Sequence, residues 1–496
     1  MQRSYAATAP MGRRPYAREL LIMETVICGV ASLALALLAY RSDAPAWSVA
    51  AAAIFCWAVA LVFRLNSRAG VLFIPIIIGS ASSLVALIMI EFGADIPELG
   101  IVGQSNGCTA TYVFYAIMFY WSYLWFFSLM VGPEPAKDQP ISLFFDRYAM
   151  LIGIGIVGFT ILICAYLILG GLRNGFPLLA GIDRFVYRRL ATDKIMLIAL
   201  NLKWMFAFSL GMVAFSLPVS RTIKLSSSGT FAFLSLLYFL FGDKFFTQLV
   251  SVATFFAPYL YNNYKKLRRN MLLYCVIAGL LAAPAFGVTW FIYSNNGLES
   301  SEATFKRLTG RMAGQGELWY LQNELGSNIL NWDQQFVENN YHALFVKDVG
   351  LYAIRTGIGP NYFSNRYAPD DIRASMMRNA GTITYTAALE PLGLAVFGWL
   401  GLVAVMVFAG LVTALTSVYL VRAIRLRSVL SGVFAVFIIV NVRSFLYQGA
   451  PWQIFGIYAL KWFAVILLAE LIMMAANRIV RAAPMMNRGR TVGVIR

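Results

Sequence analysis

Charged residues are scarce in this sequence, and histidine is almost absent. Asp, Glu, Lys and Arg make up 13% of its 496 residues and histidine occurs once, whereas soluble domains carry roughly 25% charged residues. The five cysteines show neither a disulfide framework nor the spacing of a metal site. The sequence also lacks a Walker loop, the His-Glu-x-x-His and Gly-x-Ser-x-Gly motifs and a convincing Asp-x-Asp pair. We therefore expect a reaction that needs no metal and no other cofactor.

Long hydrophobic runs are the main feature of the sequence. Hydrophobic residues make up 60% of the chain, and its mean hydropathy is +0.69. A helix needs about 20 apolar residues to cross a bilayer, because hydrocarbon offers no partner to an exposed peptide group. The pattern predicts an all-α polytopic membrane protein with about twelve transmembrane helices. Runs of the required length lie at 20–40, 71–90, 110–130, 148–171, 195–217, 271–293, 394–420, 429–446 and 452–474.

One hydrophobic region, 230–261, does not fit a simple span. Two apolar stretches, each shorter than a comfortable crossing, flank Gly242-Asp243-Lys244. One interpretation is a broken pair of half-length crossings, with Lys244 and Asp243 forming a site at membrane depth. The other is a tight hairpin outside the cytoplasm with a solvated Asp-Lys pair, and the sequence does not separate the two.

The basic residues predict the orientation in the membrane. The net charge is +17 and both termini are rich in arginine, and basic loops prefer the cytoplasm. Because these residues cluster at the ends of apolar runs, they indicate topology and not nucleic-acid binding. We expect both termini to be cytoplasmic. This orientation divides the chain into an N-terminal bundle at 1–294, a large loop outside the cytoplasm at 295–387 and C-terminal transmembrane helices at 388–496.

The segment 172–194 breaks this charge pattern, because the orientation puts it outside the cytoplasm. It carries five Lys or Arg residues, Arg184 and Arg189 among them, against two Asp residues. Either the topology is wrong by one crossing, or these arginines are kept outside because they bind an anion. We favour anion binding, since the other boundary loops agree with the topology.

The large loop holds a regular series of polar and aromatic residues. Arg307, Arg311, Gln315 and Trp319 recur at four-residue steps, which would bring them to one face of a helix. A guanidinium fork matches two phosphate oxygens, so such a face suits a diphosphate, and a Trp ring could stack on a sugar. The alternative is a surface helix whose arginines pair with neighbouring glutamates.

Other charged residues are candidates for proton transfer or anion binding. Glu317 lies beside the arginine series and His342 is the sole histidine, so either could serve as a general base. Arg373 lies in the same loop, just before the hydrophobic runs resume. Lys203 and Arg443 lie inside apolar runs, where a cation costs about 2.5 to 3.5 kcal/mol and is a functional-site hypothesis by default.

Three segments and the large loop between many spans carry a resemblance to a known family. The segments are Gly175-Phe-Pro-Leu-Leu-Ala-Gly-Ile-Asp-Arg-Phe, Leu240-Phe-Gly-Asp-Lys-Phe-Phe-Thr and Arg307-x3-Arg311-x3-Gln315-Gly-Glu-Leu-Trp319. Over roughly 173–384 the chain thereby resembles the O-antigen polymerases of bacterial surface-polysaccharide assembly, the Wzy type. Outside that stretch only the hydrophobicity and the topology match.

The resemblance implies a metal-independent glycosyltransferase of the GT-C kind in the bacterial inner membrane, with its large loop in the periplasm. Its substrates would be undecaprenyl diphosphate-linked oligosaccharides, polymerised into O-antigen or a related polysaccharide. Its partners would be membrane lipid, a flippase and a chain-length regulator. Arg307 and Arg311 would stabilise the departing diphosphate, with Arg184, Arg189 and Arg443 as second candidates. The base would be Glu317 or His342. An O-antigen ligase and a carrier of lipid-linked oligosaccharide are the alternatives.

Overall fold

The described part of the chain is built almost wholly of helices. The computed structural model describes residues 15–96, 99–131, 140–180, 187, 193–243, 245–269, 301–359, 361–370, 373–374 and 389–482. Within these ranges the non-helical regular structure is one antiparallel pair of two-residue strands, β1 (Asp95–Ile96) and β2 (Ile101–Val102). The prediction of an all-α fold is confirmed for this part of the chain.

The helices fall into an N-terminal group, a group in the large loop and a C-terminal group. The N-terminal helices are α1 Pro15–Ala39, α2 Ala46–Leu65, α3 Ser67–Glu91, α4 Cys108–Met130, α5 Pro140–Arg147, α6 Ala149–Asn174, α7 Lys194–Asn201, α8 Lys203–Phe215, α9 Arg221–Leu240, α10 Phe245–Asn262 and α11 Tyr264–Arg269. The loop helices are α12 Ser301–Ala313, α13 Glu317–Leu325, α14 Gln334–Ala343, α15 Val349–Thr356 and α16 Asn361–Tyr367. The last group is α17 Leu389–Arg425, α18 Val429–Gln448, α19 Trp452–Phe455 and α20 Ile457–Ala482.

Many of these helices are long and apolar enough to cross a membrane. Nine candidate spans occur in the described ranges, and the bent pair α7 and α8 makes a tenth if it counts as one span. The nine lie in α1, α2, α3, α4, α6, α9, α17, α18 and α20. The chain is therefore a multi-pass membrane protein. The expected span at 271–293 lies outside the described residues.

The region 230–261 forms two helices joined by a short turn, and the first of them, α9, is long enough to be a candidate span. Gly242 has φ +82 and lets the chain reverse directly after α9. The following helix, α10, has 18 residues and is about 27 Å long at 1.5 Å per residue. The break in a span occurs elsewhere, between α7 and α8, whose axes differ by 56°.

Close helix crossings hold the bundle together. A Cβ atom on Gly410 of α17 would lie 2.6 Å from the Ser122 side chain of α4, and one on Gly211 of α8 would lie 2.0 Å from the Phe255 carbonyl oxygen of α10. Only glycine permits such approaches, and small residues are the usual means of close packing in lipid. Stacked aromatic rings fill the interior, for example Phe73 and Tyr123 at 4.1 Å.

Basic loops meet at one end of the bundle, which we call the basic end. Arg427 forms an ion pair with Asp146 at 2.6 Å, and Arg425 donates a hydrogen bond to the Tyr261 hydroxyl at 2.7 Å. The loop before α3 reaches the same end, because the Arg68 guanidinium donates to the Tyr264 hydroxyl at 3.1 Å. These contacts join loops that lie far apart in sequence, as expected if they share one side of a membrane.

The loop helices α12 to α16 form a cap at the opposite end, and α13 anchors this cap to the bundle. Asn323 of α13 is 1% exposed and donates to the backbone oxygen of Asn106 at 2.6 Å. In return, the Asn106 amide donates to the Glu324 carboxylate at 3.0 Å. Thr111 of α4 donates to the Asn323 side chain at 3.2 Å. Because these groups are buried and mutually satisfied, the cap is fixed in position over the bundle.

Candidate functional site

Helix α17 is divided by a sharp bend at Gly398, which has φ +73 and ψ −171. Residues other than glycine essentially never adopt this conformation. The bend is stabilised by the cap: the Asn331 N–H donates to the Phe397 carbonyl oxygen at 3.1 Å, and the Trp399 N–H donates to the Asn328 oxygen at 3.2 Å. The short arm 389–397 therefore begins inside the bundle and ends at the cap.

The two arms of α17 lie against each other. A Cβ atom on Gly393 in the short arm would lie 2.7 Å from a Leu402 methyl carbon in the long arm. Leu392 and Val396 of the short arm are buried with Leu318 and Phe363 of the cap. As a result Glu390, the second residue of the arm, is carried towards the middle of the bundle.

Three tyrosines lie in the same region of the bundle as the carboxylate of Glu390. It lies within electrostatic range of the hydroxyl groups of Tyr112, Tyr120 and Tyr447. The Tyr112 hydroxyl donates to the backbone oxygen of Ser80 at 3.0 Å. A carboxylate in an apolar bundle is costly unless polar groups face it, so this group of hydroxyls indicates a polar interior site.

A second set of charged side chains lies around Trp204, and we call Lys203, Trp204, Asp243, Arg443 and Tyr447 the Trp204 cluster. Lys203 opens α8 directly after the bend, and its Nζ lies 2.6 Å from Asp243 Oδ2. The Arg443 guanidinium carbon lies 5.1 Å from the Trp204 ring centre and 5.0 Å from that of Tyr447. Lys203 Nζ lies 5.7 Å from the same indole.

The Trp204 cluster can bind an anion inside the bundle. Cation–π contact contributes about 0.5 to 2 kcal/mol, which offsets part of the cost of burying Arg443. A guanidinium fork matches the geometry of two phosphate oxygens, so Arg443 is the member of the cluster best suited to a phosphate. Tyr447 lies within electrostatic range of both Arg443 and Glu390. Tyr447 therefore links the cluster to the region of Glu390.

The expected single face of Arg307, Arg311, Gln315 and Trp319 is interrupted in the structure. Helix α12 carries the two arginines and ends at Ala313, and a turn at 314–316 precedes α13. Gly316 permits that turn to pack against α3, because a Cβ atom there would lie 3.0 Å from the Leu87 side chain. The arginine side chains lie outside the described part of the structure.

Trp319 packs inside the protein and is 1% exposed. Its ring stacks on Tyr115 at 5.9 Å and meets Tyr112 edge to face at 5.9 Å. The indole Nε1 is buried without a hydrogen-bond partner among the described residues. A sugar could stack on Trp319 only after these contacts rearrange, so in this conformation the ring joins the cap to α4.

The other predicted residues lie in different surroundings. Glu317 is 1% exposed at the start of α13, whereas His342 is exposed on α14, with its ring 6.0 Å from that of Tyr341. Arg373 pairs with Asp370 at 2.8 Å on the surface. Among the predicted residues whose side chains the structure describes, Lys203 and Arg443 come together around one residue, Trp204. Arg184, Arg189 and Lys244 lie outside the described residues.

Among the described residues of the cap, three ionisable groups have raised pKa values. The hydrogen bond with Asp95 raises the pKa of Lys306, because the carboxylate favours the charged amine. Burial raises the pKa of Tyr320 and that of Tyr362, although the Arg366 guanidinium lies 3.7 Å from the Tyr362 ring centre and favours the phenolate. Each shift favours the charge that the group already has at neutral pH.

Glu390 and Tyr447 were not recognised as site residues from the sequence. Glu390 precedes an apolar run and has the appearance of an ordinary residue at a membrane boundary. Tyr447 follows Arg443 by four residues on a helix, a spacing at which side chains meet. From that spacing, Tyr447 could have been predicted as a neighbour of Arg443.

Comparisons with known proteins add a family match without a function. A family model described as "Family of unknown function (DUF6418)" matches residues 355–475. No curated protein matches the chain, and no solved structure matches it. The matched stretch includes Glu390, Arg443 and Tyr447 and excludes the arginines of α12.

Proposed function

We propose that this chain is a metal-independent glycosyltransferase with a GT-C-like architecture of about twelve spans. It polymerises undecaprenyl diphosphate-linked oligosaccharide units into O-antigen or a related surface polysaccharide. It acts in a bacterial inner membrane, with the basic end and both termini in the cytoplasm and the cap in the periplasm. A flippase supplies its substrate and a chain-length regulator assists it.

The observation that carries this proposal is the Trp204 cluster in the interior of the bundle, at the end that the cap covers. A lipid-linked diphosphate has its anionic group at the membrane surface and its sugars outside. Arg443 places a guanidinium at such a level, between the rings of Trp204 and Tyr447. Preorganised charge of this kind is most effective when negative charge develops on a leaving group.

In the proposed reaction a hydroxyl group of one oligosaccharide attacks the anomeric carbon of another. A new glycosidic bond forms, the bond from that carbon to the diphosphate breaks, and undecaprenyl diphosphate leaves with the bonding electrons. Arg443, with Arg307 and Arg311, stabilises its charge. Glu390 accepts the proton of the attacking hydroxyl, since Tyr447 lies within electrostatic range of both this carboxylate and Arg443, whereas Asp243 is paired with Lys203. Glu317 and His342 remain alternative bases.

The direct test supplies purified full-length protein in liposomes with its own lipid-linked repeat unit and no other protein. We expect a ladder of glycan lengths from the wild type. Arg443→Gln should abolish the ladder, while Arg422→Gln, which changes an exposed arginine at the basic end, should leave it intact. Transfer to a lipid A core alone would identify a ligase. Translocation without a covalent change would identify a carrier.

A further inference from the structure

A cavity separates the cap from the last transmembrane helices. It has a volume of about 500 Å3 and lies between the α14–α15 region and the segment that joins α18 to α20. Sites for small ligands usually measure roughly 300 to 1,000 Å3. The cavity therefore has the size of a site for a small ligand or for the end of a larger one.

Three side-chain amides line this cavity. Asn361 is 7% exposed, and Gln448 and Gln453 are half-buried. Each amide offers an acceptor oxygen and two N–H donors, so it can bond to a ligand group that both donates and accepts.

Trp452 supplies an aromatic surface among these amides. One edge of its ring packs on the backbone of Gly359, where a Cβ atom would lie 2.7 Å from the indole. The ring also lines the cavity. Glycine at that position, with φ +56, allows the chain to turn and leaves room for the indole. The indole is thereby held at the wall of the cavity.

The charges around the cavity cancel. Lys347 and Asp348 are the ionisable side chains of opposite sign that line it. An anionic ligand would gain little from this balance, whereas hydroxyl groups both donate and accept hydrogen bonds and suit amides, a carboxylate and an amine together. The lining is that of a site for uncharged hydroxylated rings.

The cavity is separate from the diphosphate site. Gln448 follows Arg443 by five residues in α18, which is about 7.5 Å along the axis and about 140° around it. The two side chains therefore leave the helix in different directions. A glycan in the cavity therefore contacts other side chains than those that would hold a diphosphate at Arg443.

We infer that the cavity is a carbohydrate subsite that takes uncharged pyranose units, with Trp452 stacking on a ring and Asn361, Gln448 and Gln453 bonding to hydroxyls. The role of the cavity rests on the proposed function: in a polymerase the cavity holds the acceptor glycan. The binding itself does not depend on turnover and can be measured without a lipid-linked substrate.

The experiment measures saturation-transfer NMR signals from maltotriose, cellotriose and chitotriose with the purified full-length protein in nanodiscs. At least one of these neutral trisaccharides should receive saturation from the protein, and trigalacturonate should receive less. Asn361→Leu keeps the branching and the number of heavy atoms of the side chain, and it should weaken binding by about tenfold because one amide is lost. Trp452→Ala should weaken it at least as much. Trp332→Ala, at a tryptophan of the cap that is 65% exposed and does not line the cavity, is the matched control.

The outcomes separate this inference from the proposed function. Arg443→Gln should lose polymerisation and keep trisaccharide binding. If the wild type binds a trisaccharide but makes no ladder of glycan lengths, the subsite is supported and the assignment as a polymerase is refuted. No signal from any neutral trisaccharide, or equal binding by Asn361→Leu and wild type, would overturn the inference. Thermal unfolding of each variant shows that a lost signal does not come from a lost fold.

Discussion

Lys203 and Asp243 form an ion pair in the interior, with Nζ and Oδ2 2.6 Å apart and side chains 9% and 5% exposed. Lys203 begins α8 just after the bend in its span, and Asp243 closes the turn between α9 and α10. The pair therefore ties a bent span to a neighbouring hairpin. The ion pair also holds the Lys203 amine in position beside the Trp204 ring.

Removing one partner of this pair should cost more stability than removing both. Asp243→Leu alone leaves a buried amine without its carboxylate, and the expected loss is about 3 to 5 kcal/mol. The double variant Lys203→Met, Asp243→Leu should recover most of this loss, because neither charge is then buried. Thermal unfolding in detergent measures the difference. A double variant less stable than both single variants would show that the pair is net stabilising.

Long spans could be predicted from the sequence because an apolar run is a local property. Helices α3 and α6 follow directly from their composition. The basic end was also predictable, since the loops around Arg68 and Arg427 carry their charge in the sequence. These features depend on nearest neighbours along the chain and on the bilayer, not on tertiary contacts.

The site could be predicted only in part, because it depends on contacts between distant segments. Lys203 and Arg443 were recognised as costly cations, but nothing local shows that both approach Trp204. The position of Glu390 depends on the bend at Gly398 and on backbone hydrogen bonds from the cap. A break near Gly242 was one of two interpretations of that region. The turn there lies between α9 and α10, and the bent pair of helices is α7–α8.

Gly398→Ala tests the bend that carries Glu390. An alanine at φ +73 and ψ −171 is strained, and its Cβ would lie 2.6 Å from the Asn328 carbonyl oxygen. We expect a loss of about 1 to 3 kcal/mol and a loss of transfer activity. Gly155→Ala, in α6 with open space around its Cβ position, should be neutral or slightly stabilising. Equal stability of the two variants would mean that the bend is not constrained by glycine.

Glu390→Gln tests the assignment of the base. The amide keeps the size of the side chain but cannot accept the proton, so transfer should fall by about 100-fold or more while the protein remains folded. Glu338→Gln, at an exposed carboxylate of α14, should retain full activity. Release of diphosphate per minute from the lipid-linked substrate measures both. An active Glu390→Gln variant would return the role to Glu317 or His342.

Substitutions of Arg311 test whether the arginines of α12 take part in the reaction. Arg311→Ala and Arg311→Lys should both shorten the glycan sharply, because lysine lacks the planar fork that matches two phosphate oxygens. Gel analysis of polymer length measures the effect, and membrane insertion should be unchanged. Lys306→Ala, on the same helix at an amine that pairs with Asp95 on the surface, is the control. Full-length glycan from both Arg311 variants would remove this arginine from the mechanism.

Chelation tests the chemistry that stabilises the leaving diphosphate. If guanidinium groups carry that charge, purified protein should keep its full rate in EDTA and without any nucleotide, since arginine supplies fixed positive charge at any physiological pH. The initial rate is measured in liposomes before and after EDTA, with Mg2+ or Mn2+ then restored. A rate that falls with EDTA and returns with one of these ions would assign the stabilising charge to a metal, and Arg443 would then serve in binding and not in catalysis. The rate of Arg443→Lys distinguishes these roles further, because a point charge suffices to bind phosphate but does not reproduce the bidentate fork.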